Sequence, residues 1–146
     1  MSDRSPPPVR ADFAAFRPIT TRWKDNDVFG HINNVNYYSF FDTVVCGHLM
    51  EHGVFHFDSG DTIGLVVQTQ CNYFAPIAFP DAVTGGLRVE RIGGSSVRYG
   101  IGIFREDEDS ASAAGHFIHV YVDRETRRPT PLPGDLRLVC EGLVVG

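Results

Sequence analysis

The sequence predicts an α+β protein in which an antiparallel β-sheet wraps around one long central helix. Apolar residues recur at helical spacing from about residue 34 to residue 52. Between residues 63 and 123, apolar and polar side chains instead alternate with a period of two, as they do in strands. The strand-like segments follow one another through short turns, which favours an antiparallel sheet beside the helix.

The first strand is predicted at residues 16–23, with Pro18 near its start, where a missing N–H group is tolerated. A loop follows, because Gly30 breaks the pattern. The short acidic side chains of Asp25 and Asp27 suit turn and capping positions in such a loop. From the pattern alone, both acids could simply bind backbone N–H groups.

The long helix is predicted to begin at Asn33 or Asn34, either of which can cap it, and to end at Gly53 after His52. Since no face of this helix carries much charge, we expect it to be mostly buried. Asp42 falls at the edge of the apolar arc. A carboxylate there is costly to bury unpaired, so it should have a partner, a wet cavity or a chemical role.

The rest of the chain is predicted to be mostly sheet. Four further strands are expected, at residues 63–74, 83–89, 97–103 and 113–123. Gly93 and Gly94 suit a tight hairpin turn. Residues 55–61 are expected to form an irregular lid over the long helix, and a short helix is expected at about residues 135–142.

The start of the long helix is a candidate catalytic site. Backbone N–H groups in a first helical turn lack intrahelical partners, and the helix dipole is positive there, so this point can stabilise an oxygen that gains negative charge. The carboxylate of Asp27 lies a few residues upstream. A nucleophile or general base beside an oxyanion site is the geometry that acyl transfer needs.

The motif Arg-Trp-x-Asp-x-Asp-x-x-Gly-His-x-Asn-Asn-x-x-Tyr at residues 22–37, followed by an aromatic-rich helix, resembles the hotdog-fold acyl-CoA thioesterases of the 4-hydroxybenzoyl-CoA thioesterase type. Three later segments also fit that family. They are Tyr-Phe-Ala-Pro at 73–76, Ile-Gly-Gly-Ser at 92–95 and Arg-Pro-x-Pro-Leu-Pro at 128–133. The resemblance covers most of the chain and implies hydrolysis of an acyl-coenzyme A thioester to a free acid and coenzyme A.

The resemblance also implies which residues act. The second acid of the Asp-x-Asp pair, Asp27, would be the nucleophile or general base, and the backbone N–H of Asn34 would polarise the thioester carbonyl. Further residues are expected to contact the substrate, with the two arginines reaching the phosphates of coenzyme A. These substrate-binding candidates are Asp42, His31, Tyr38, Arg127 and Arg128. Another branch of the hotdog thioesterases uses a carboxylate on the central helix, which makes Asp42 the alternative catalytic acid.

No metal and no cofactor is predicted, since coenzyme A is part of the substrate. His31 has no second His at helical spacing, so a hydrogen-bonded structural role is favoured over a metal ligand. His48, His52 and His56 are spaced by four residues, but Gly53 interrupts the helix between them. Cys46 is expected to be a buried neutral thiol rather than a nucleophile.

The composition bounds the protein class. The chain has 146 residues, a net charge of −5 and no long apolar run, which excludes a general nucleic-acid binder and a membrane partner. Residues 1–12 are predicted to be a flexible proline-containing arm, and residues 13–146 one domain. Three scattered cysteines favour the cytoplasm. An uncovered sheet edge favours a homodimer or homotetramer.

Two other functions remain open from the sequence. One is a noncatalytic hotdog protein that binds acyl-CoA, and the other is hydration or dehydration of an enoyl thioester, for which a His paired with an acid is expected.

Overall fold

A computed structural model of the chain describes residues 5–55 and 60–145. It contains five strands and two helices. In chain order these are β1 (Ala15–Ile19), α1 (Val35–Glu51), β2 (Thr62–Tyr73), β3 (Val83–Ile92), β4 (Ser96–Arg105), β5 (Ala113–Asp123) and α2 (Gly134–Glu141). Short 3-10 helices form at Arg10–Asp12 and Trp23–Asp25. Neither α-helix in these described ranges is long and apolar enough to cross a membrane.

The five strands form one antiparallel sheet in the order β1-β3-β4-β5-β2. The predicted α+β class and the antiparallel sheet around a helix are therefore confirmed. The first strand is shorter than predicted, because the chain turns into a 3-10 helix at Trp23. That turn is stabilised by the carboxylate of Asp25, which accepts a hydrogen bond from the N–H of Arg22 at 2.8 Å.

Helix α1 lies against one face of the sheet, and the main hydrophobic core fills the space between them. Phe41 and Val44 are almost completely buried, and the Phe41 ring meets Phe117 of β5 edge to face at 5.9 Å. Gly85 of β3 allows the close approach, since a Cβ atom there would collide with the side chain of Val44. Large side chains of α1 therefore pack against the sheet, and the missing side chain at Gly85 makes room for Val44.

The other side of α1 is exposed in the single chain, which corrects the expectation of a helix buried on most faces. Ser39, Asp42 and Thr43 are exposed on it. At the edge of the sheet, β2 also presents apolar side chains to solvent: Val66 is 48% and Val67 is 59% exposed. Low charge and exposed apolar residues on neighbouring surfaces are typical of a surface that another chain covers.

Other predicted segments are found close to the expected positions. The final helix is α2, and the predicted hairpin after β3 is present between β3 and β4.

Arg10, near the end of the predicted N-terminal arm, donates hydrogen bonds to the carbonyls of Glu106 and Glu108. Most of the predicted lid, including Phe57 and the nearby His56, lies outside the described residues.

A polar network lies inside the core between β4, β5 and α2. The hydroxyl groups of Tyr99 and Tyr121 are 2.8 Å apart, and the Tyr99 hydroxyl is 3.5 Å from the thiol of Cys140. The Tyr121 hydroxyl also reaches Nδ1 of His119 at 3.4 Å. Nε2 of His119 is buried and has no hydrogen-bond partner among the described residues.

This buried histidine should make stability depend on pH. Burial lowers the pKa of His119 from 6.5 to about 4, an effect that the nearby carboxylate of Asp42 partly offsets. The unfolded chain therefore binds a proton between these two pH values that the folded chain does not, and stability falls as the pH falls through that window. The loss of folding stability attributable to His119 is up to about 3 kcal/mol.

Urea unfolding of the wild type and of His119→Phe, each at about pH 7 and about pH 4.5, measures this contribution. The wild type should lose more stability than the variant when the pH is lowered, because only the wild type must keep the imidazole neutral. Equal losses in the two proteins would show that His119 does not carry the effect.

Candidate active site

The loop before α1 is fixed by Asp25, whose carboxylate is almost fully buried. It accepts hydrogen bonds from the backbone N–H of Arg22 at 2.8 Å and from the Arg22 guanidinium at 3.0 Å. Its backbone carbonyl accepts the N–H of Asn33 at 2.8 Å and the side-chain amide of Asn36 at 3.0 Å. Asp25 therefore has a structural role, since it links the preceding turn to the start of the helix.

Asp27 lies in the same loop and is only partly buried. Its Oδ1 accepts the N–H of Phe29 at 2.9 Å, and its own N–H donates to the carbonyl of His31 at 2.8 Å. Gly30 completes the tight turn with a φ of +82°. Within the part of the chain that the structure describes, Oδ2 of Asp27 accepts no hydrogen bond. One carboxylate oxygen is thus oriented by the loop and the other can act on a ligand.

The first turn of α1 leaves one backbone donor free. Asn34 is the N-cap of α1 and makes no side-chain capping bond. Asn33 satisfies the donors that follow it, because its Oδ1 accepts the N–H of Val35 at 3.0 Å and its carbonyl accepts the N–H of Asn36 at 3.0 Å. The N–H of Tyr37 bonds to the carbonyl of Asn34 at 3.2 Å. The N–H of Asn34 itself has no acceptor within residues 5–55 and 60–145. It is therefore available to a ligand oxygen at the positive end of the helix dipole.

Tyrosine side chains surround this helix start. The hydroxyl of Tyr73, on β2, donates to the carbonyl of Asn34 at 3.2 Å, and its ring meets Tyr37 edge to face at 5.1 Å. Burial raises the pKa of Tyr37 to about 12 and also raises the pKa of Tyr73, so both phenols stay protonated and can donate hydrogen bonds. The sequence placed Tyr73 in a segment that fits the family but did not predict its contact with Asn34, because that contact depends on the pairing of β2 with β5.

Two predicted substrate contacts lie at the same end of the molecule. The side chain of Tyr38 is 37% exposed, and its ring packs on Phe41 with the centroids 6.0 Å apart. His31 is exposed in the loop with Asp27. Its side chain makes no hydrogen bond to the described residues, so the hydrogen-bonded structural His that the sequence suggested is not seen in the single chain.

A large cavity lies further along α1, between the helix, the first residues of β2, the last residues of β5 and the start of α2. Its volume is about 670 Å³. Asp42, Cys46 and Leu49 form the helical wall, opposite His119 and Tyr121 of β5. Most of the remaining lining is apolar. A deep apolar cavity with a few polar groups is typical of a small-molecule site.

Asp42 and Asp27 thus belong to different parts of the structure. Asp27 and Asn34 do not line the cavity, and eight helical residues, or about 12 Å of rise, separate Asn34 from Asp42. Asp42 is exposed at the cavity wall, where its Oδ1 accepts a weak hydrogen bond from the thiol of Cys46 at 3.7 Å. Burial, with Asp42 as a second cause, raises the pKa of Cys46 to about 12, so this thiol is not a nucleophile.

Arg127 and Arg128 lie in the turn after β5, and both are exposed. The N–H of Arg127 donates to the carbonyl of Asp123 at 2.9 Å, and Arg127 has a φ of +62°. Neither guanidinium is bonded to another group in the described parts of the chain, and neither lines the large cavity. Thr62 pairs with Asp123 at one end of the β2–β5 pair, and Tyr73, which contacts Asn34, pairs with Ala113 at the other end. The single chain therefore places these arginines at the opposite end of the strand pair from the helix start.

Comparison with known proteins places these features in a family. A model of the Thioesterase superfamily matches residues 29–112, a segment that contains Asn34, Tyr38 and Asp42 and begins just after Asp27. The PA5185 protein of Pseudomonas aeruginosa has a similar crystal structure, with a TM-score of 0.94 and 48% identity over 97% of this chain and 99% of that one.

Two relatives with described activities or ligands are also similar. The long-chain acyl-CoA thioesterase FadM of Escherichia coli is 27% identical over 86% of this chain and 96% of its own length. A thioesterase of Thermus thermophilus, solved with coenzyme A and Zn, has a TM-score of 0.72 and 25% identity, covering 89% of this chain and 94% of that one. The sheet wrapped around α1 is the hotdog fold of such neighbours. The chain therefore belongs to the Thioesterase superfamily and is a thioester hydrolase.

Proposed function

We propose that the protein hydrolyses an acyl-coenzyme A thioester to a free acid and coenzyme A, with catalysis at Asp27 and Asn34. The observation that carries the proposal is the free N–H of Asn34 at the start of α1, preceded by a loop in which one oxygen of Asp27 is fixed and the other is unpaired. The acyl-CoA substrate of FadM and the coenzyme A in the Thermus thermophilus structure support the choice of thioester.

Asn34 would polarise the thioester carbonyl. Its backbone N–H points out of the helix at the positive end of the dipole, and the neighbouring donors of the first turn are already bonded within the protein. The hydrogen bond strengthens as the carbonyl oxygen becomes an oxyanion in the transition state, which lowers the barrier. The hydrogen bonds of Asn33 to Val35 and Asn36 hold the backbone on each side of Asn34. The Asn34 N–H group therefore needs little movement to bond the oxyanion during the reaction.

Asp27 would activate or perform the attack, and two routes agree with its geometry. As a general base, the free carboxylate oxygen takes a proton from water while the water oxygen attacks the carbonyl carbon. As a nucleophile, that oxygen attacks the carbonyl carbon itself and gives a mixed anhydride, which water then hydrolyses. In both routes the carbon–sulfur bond breaks, and the departing thiolate of coenzyme A takes up a proton.

The acyl group would extend along α1 into the 670 Å³ cavity. Reaching the cavity wall at Asp42 from Asn34 requires about 12 Å, which favours an acyl group longer than a few carbons. The apolar lining from Leu49, Val54 and Ile63 suits such a chain. Asp42 and His119 would contact the substrate there, while Tyr38 and His31 would lie near the thioester.

Arg127 and Arg128 would bind the phosphates of coenzyme A, since both guanidinium groups are exposed and free of partners in the described chain. Because one chain does not bring them to its own Asp27, they would act on a substrate held at Asp27 of the second chain in a homodimer. Hydrolysis by this route requires no metal and no other cofactor. The three cysteines are free thiols, which supports a cytoplasmic location.

Two chains would pair to form the working enzyme. Strand β2 is twelve residues long, lies at a sheet edge and exposes apolar side chains, and the polar but nearly uncharged side of α1 lies next to it. An edge of this length is a surface for pairing with another strand. A second copy supplies an identical edge, which a twofold-symmetric homodimer satisfies. A homotetramer would place two such dimers together.

Replacing Asp27 with Asn tests the catalytic assignment. The amide keeps the shape and can still accept the Phe29 N–H, but it cannot act as a base or carboxylate nucleophile. We expect kcat for acyl-CoA hydrolysis to fall by about 10²–10⁴-fold with KM little changed. Release of free thiol from a panel of aromatic, short-chain and long-chain acyl-CoAs measures it.

The matched control is Asp42→Asn, which removes a carboxylate from the cavity wall and should reduce kcat far less. Near-normal turnover of Asp27→Asn with an inactive Asp42→Asn would move catalysis to the helix. Binding of acyl-CoA without thiol release by the wild type would identify a binding protein, and a change in enoyl absorbance without thiol release would identify a hydratase.

Replacing both Arg127 and Arg128 with Ala should mainly raise KM for acyl-CoA, because the phosphates are bound equally in the ground state and the transition state. Each charged hydrogen bond lost contributes about 1.5–3 kcal/mol. Steady-state kinetics on an acyl-CoA and on the same acyl group linked to a short thiol without phosphates should show the effect for the first substrate alone. An unchanged KM for the acyl-CoA places the phosphate site elsewhere.

The assembly is tested by Val67→Lys, which places a charge on the exposed β2 edge. Sedimentation velocity should show a dimer or larger oligomer for the wild type and a shift toward monomer for the variant. Leu138→Lys is the control, because Leu138 is 69% exposed on α2, away from that edge. A wild-type protein that is monomeric and fully active at micromolar concentration contradicts the proposed pairing.

A further inference from the structure

The last turn of α1 holds a cluster of three potential metal ligands at the end of the helix remote from Asn34. His48, Glu51 and His52 occupy positions i, i+3 and i+4, so their side chains share one face. One ligand atom from each lies within 4.8 Å of the other two, and the imidazole rings are 4.2 Å apart between centroids. His56, the third histidine at this spacing in the sequence, lies outside the described residues, and Glu51 is the third potential ligand among the residues that the structure describes.

The hydrogen bonding of the His52 ring leaves its Nε2 free to bind a metal. Its Nδ1 lies 3.0 Å from the carbonyl oxygen of His48. Because a carbonyl can only accept, Nδ1 must carry the proton, and Nε2 then keeps its lone pair. Metal-binding histidines usually donate their second ring nitrogen to a carbonyl or carboxylate in this way, which fixes the tautomer and the ring orientation.

The charges at this point also favour a cation. The C-terminal end of a helix is the negative end of its dipole, and Glu51 adds a full negative charge.

The positive charge of Arg17 opposes binding of a cation. Its guanidinium lies 3.5 Å from Glu51 and packs over Gly47. The Glu51 side chain is 61% exposed in this ion pair, and such exposed pairs contribute little to stability. A divalent ion can therefore replace Arg17 as the partner of Glu51.

The cluster also has room for further ligands. The three side chains line a cleft of about 600 Å³ whose other wall includes Leu138 and Val139 of α2. Ligand atoms around a tetrahedral ion with bonds of about 2.1 Å are about 3.4 Å apart. Rotation of the exposed Glu51 side chain can reduce the difference while His52 keeps its hydrogen bond to the carbonyl of His48, and water from the cleft can fill the fourth position.

We propose that His48, Glu51 and His52 form a site for one divalent transition-metal ion of the Zn²⁺, Co²⁺ or Ni²⁺ class. Two imidazoles and one carboxylate select such ions over Ca²⁺ and Mg²⁺, which prefer oxygen ligands alone. The ion fixes the last turn of α1 beside α2. It takes no part in hydrolysis, because the helix separates it from Asn34 by about 20 Å.

Titration of the chelator-treated, full-length protein with Co²⁺, followed by its visible absorption, tests the site, and Zn²⁺ competition then gives the affinity. We expect one ion per chain and a thermal unfolding temperature that rises with Zn²⁺. His52→Ala and Glu51→Gln, which change exposed side chains and should leave the fold intact, should each weaken Zn²⁺ binding by about tenfold or more. Both variants should also lose most of the rise in unfolding temperature.

Two further variants make the test specific. Arg17→Gln removes the competing cation and should tighten Zn²⁺ binding, whereas a purely structural role of the Arg17–Glu51 pair predicts no change. His116→Ala, at a histidine on β5 outside the cluster, should bind Zn²⁺ like the wild type. Absence of one-to-one binding, or wild-type affinity in both His52→Ala and Glu51→Gln, overturns the proposal without affecting the proposed hydrolase function.

Discussion

The candidate active site depends on the buried carboxylate of Asp25. A charge in that position is stable only because it is paired and hydrogen-bonded, and Arg22 supplies both a guanidinium and a backbone N–H. The carbonyl of Asp25 accepts hydrogen bonds from Asn33 and Asn36, and Asn33 in turn accepts the N–H groups of Val35 and Asn36 at the start of α1. One buried residue therefore sets the position of the loop relative to the helix, and the free N–H of Asn34 and the free oxygen of Asp27 follow from it.

The general fold could be predicted because its signals are local. The period of apolar residues separates helix from strand in any window of a dozen residues, and both helices and all five strands were expected near their positions. The first strand was predicted to extend to Trp23 but ends at Ile19. The hydrogen bond from the N–H of Arg22 to the carboxylate of Asp25 stabilises a turn there and overrides the β propensity of the sequence. Such a side-chain bond leaves no periodic signal.

The candidate site was only partly predictable, for a physical reason. Asp27 and Asn34 lie seven residues apart and belong to one recognisable motif, so the sequence identifies them together. Tyr73 and His119 reach the site and the cavity through the pairing of β2 with β5, which brings together residues far apart in the chain. The exposed side of α1 was predicted to be buried, because its lack of charge indicates a covered surface but not which chain covers it.

Helix α1 also presents different chemical groups at its two ends. Its first turn presents an unpaired N–H to developing negative charge, while its last turn gathers two imidazoles and a carboxylate at the negative end of the dipole. Between the two ends of the helix, Asp42 is exposed at the cavity wall, so its charge carries little desolvation penalty. Because the same seventeen-residue helix also carries the core side chains Phe41 and Val44, a substitution that shifts it along the sheet would displace the Asn34 donor and the cavity wall together. Under the proposed mechanism, packing of α1 against β3 and β5 is therefore required for catalysis as well as for stability.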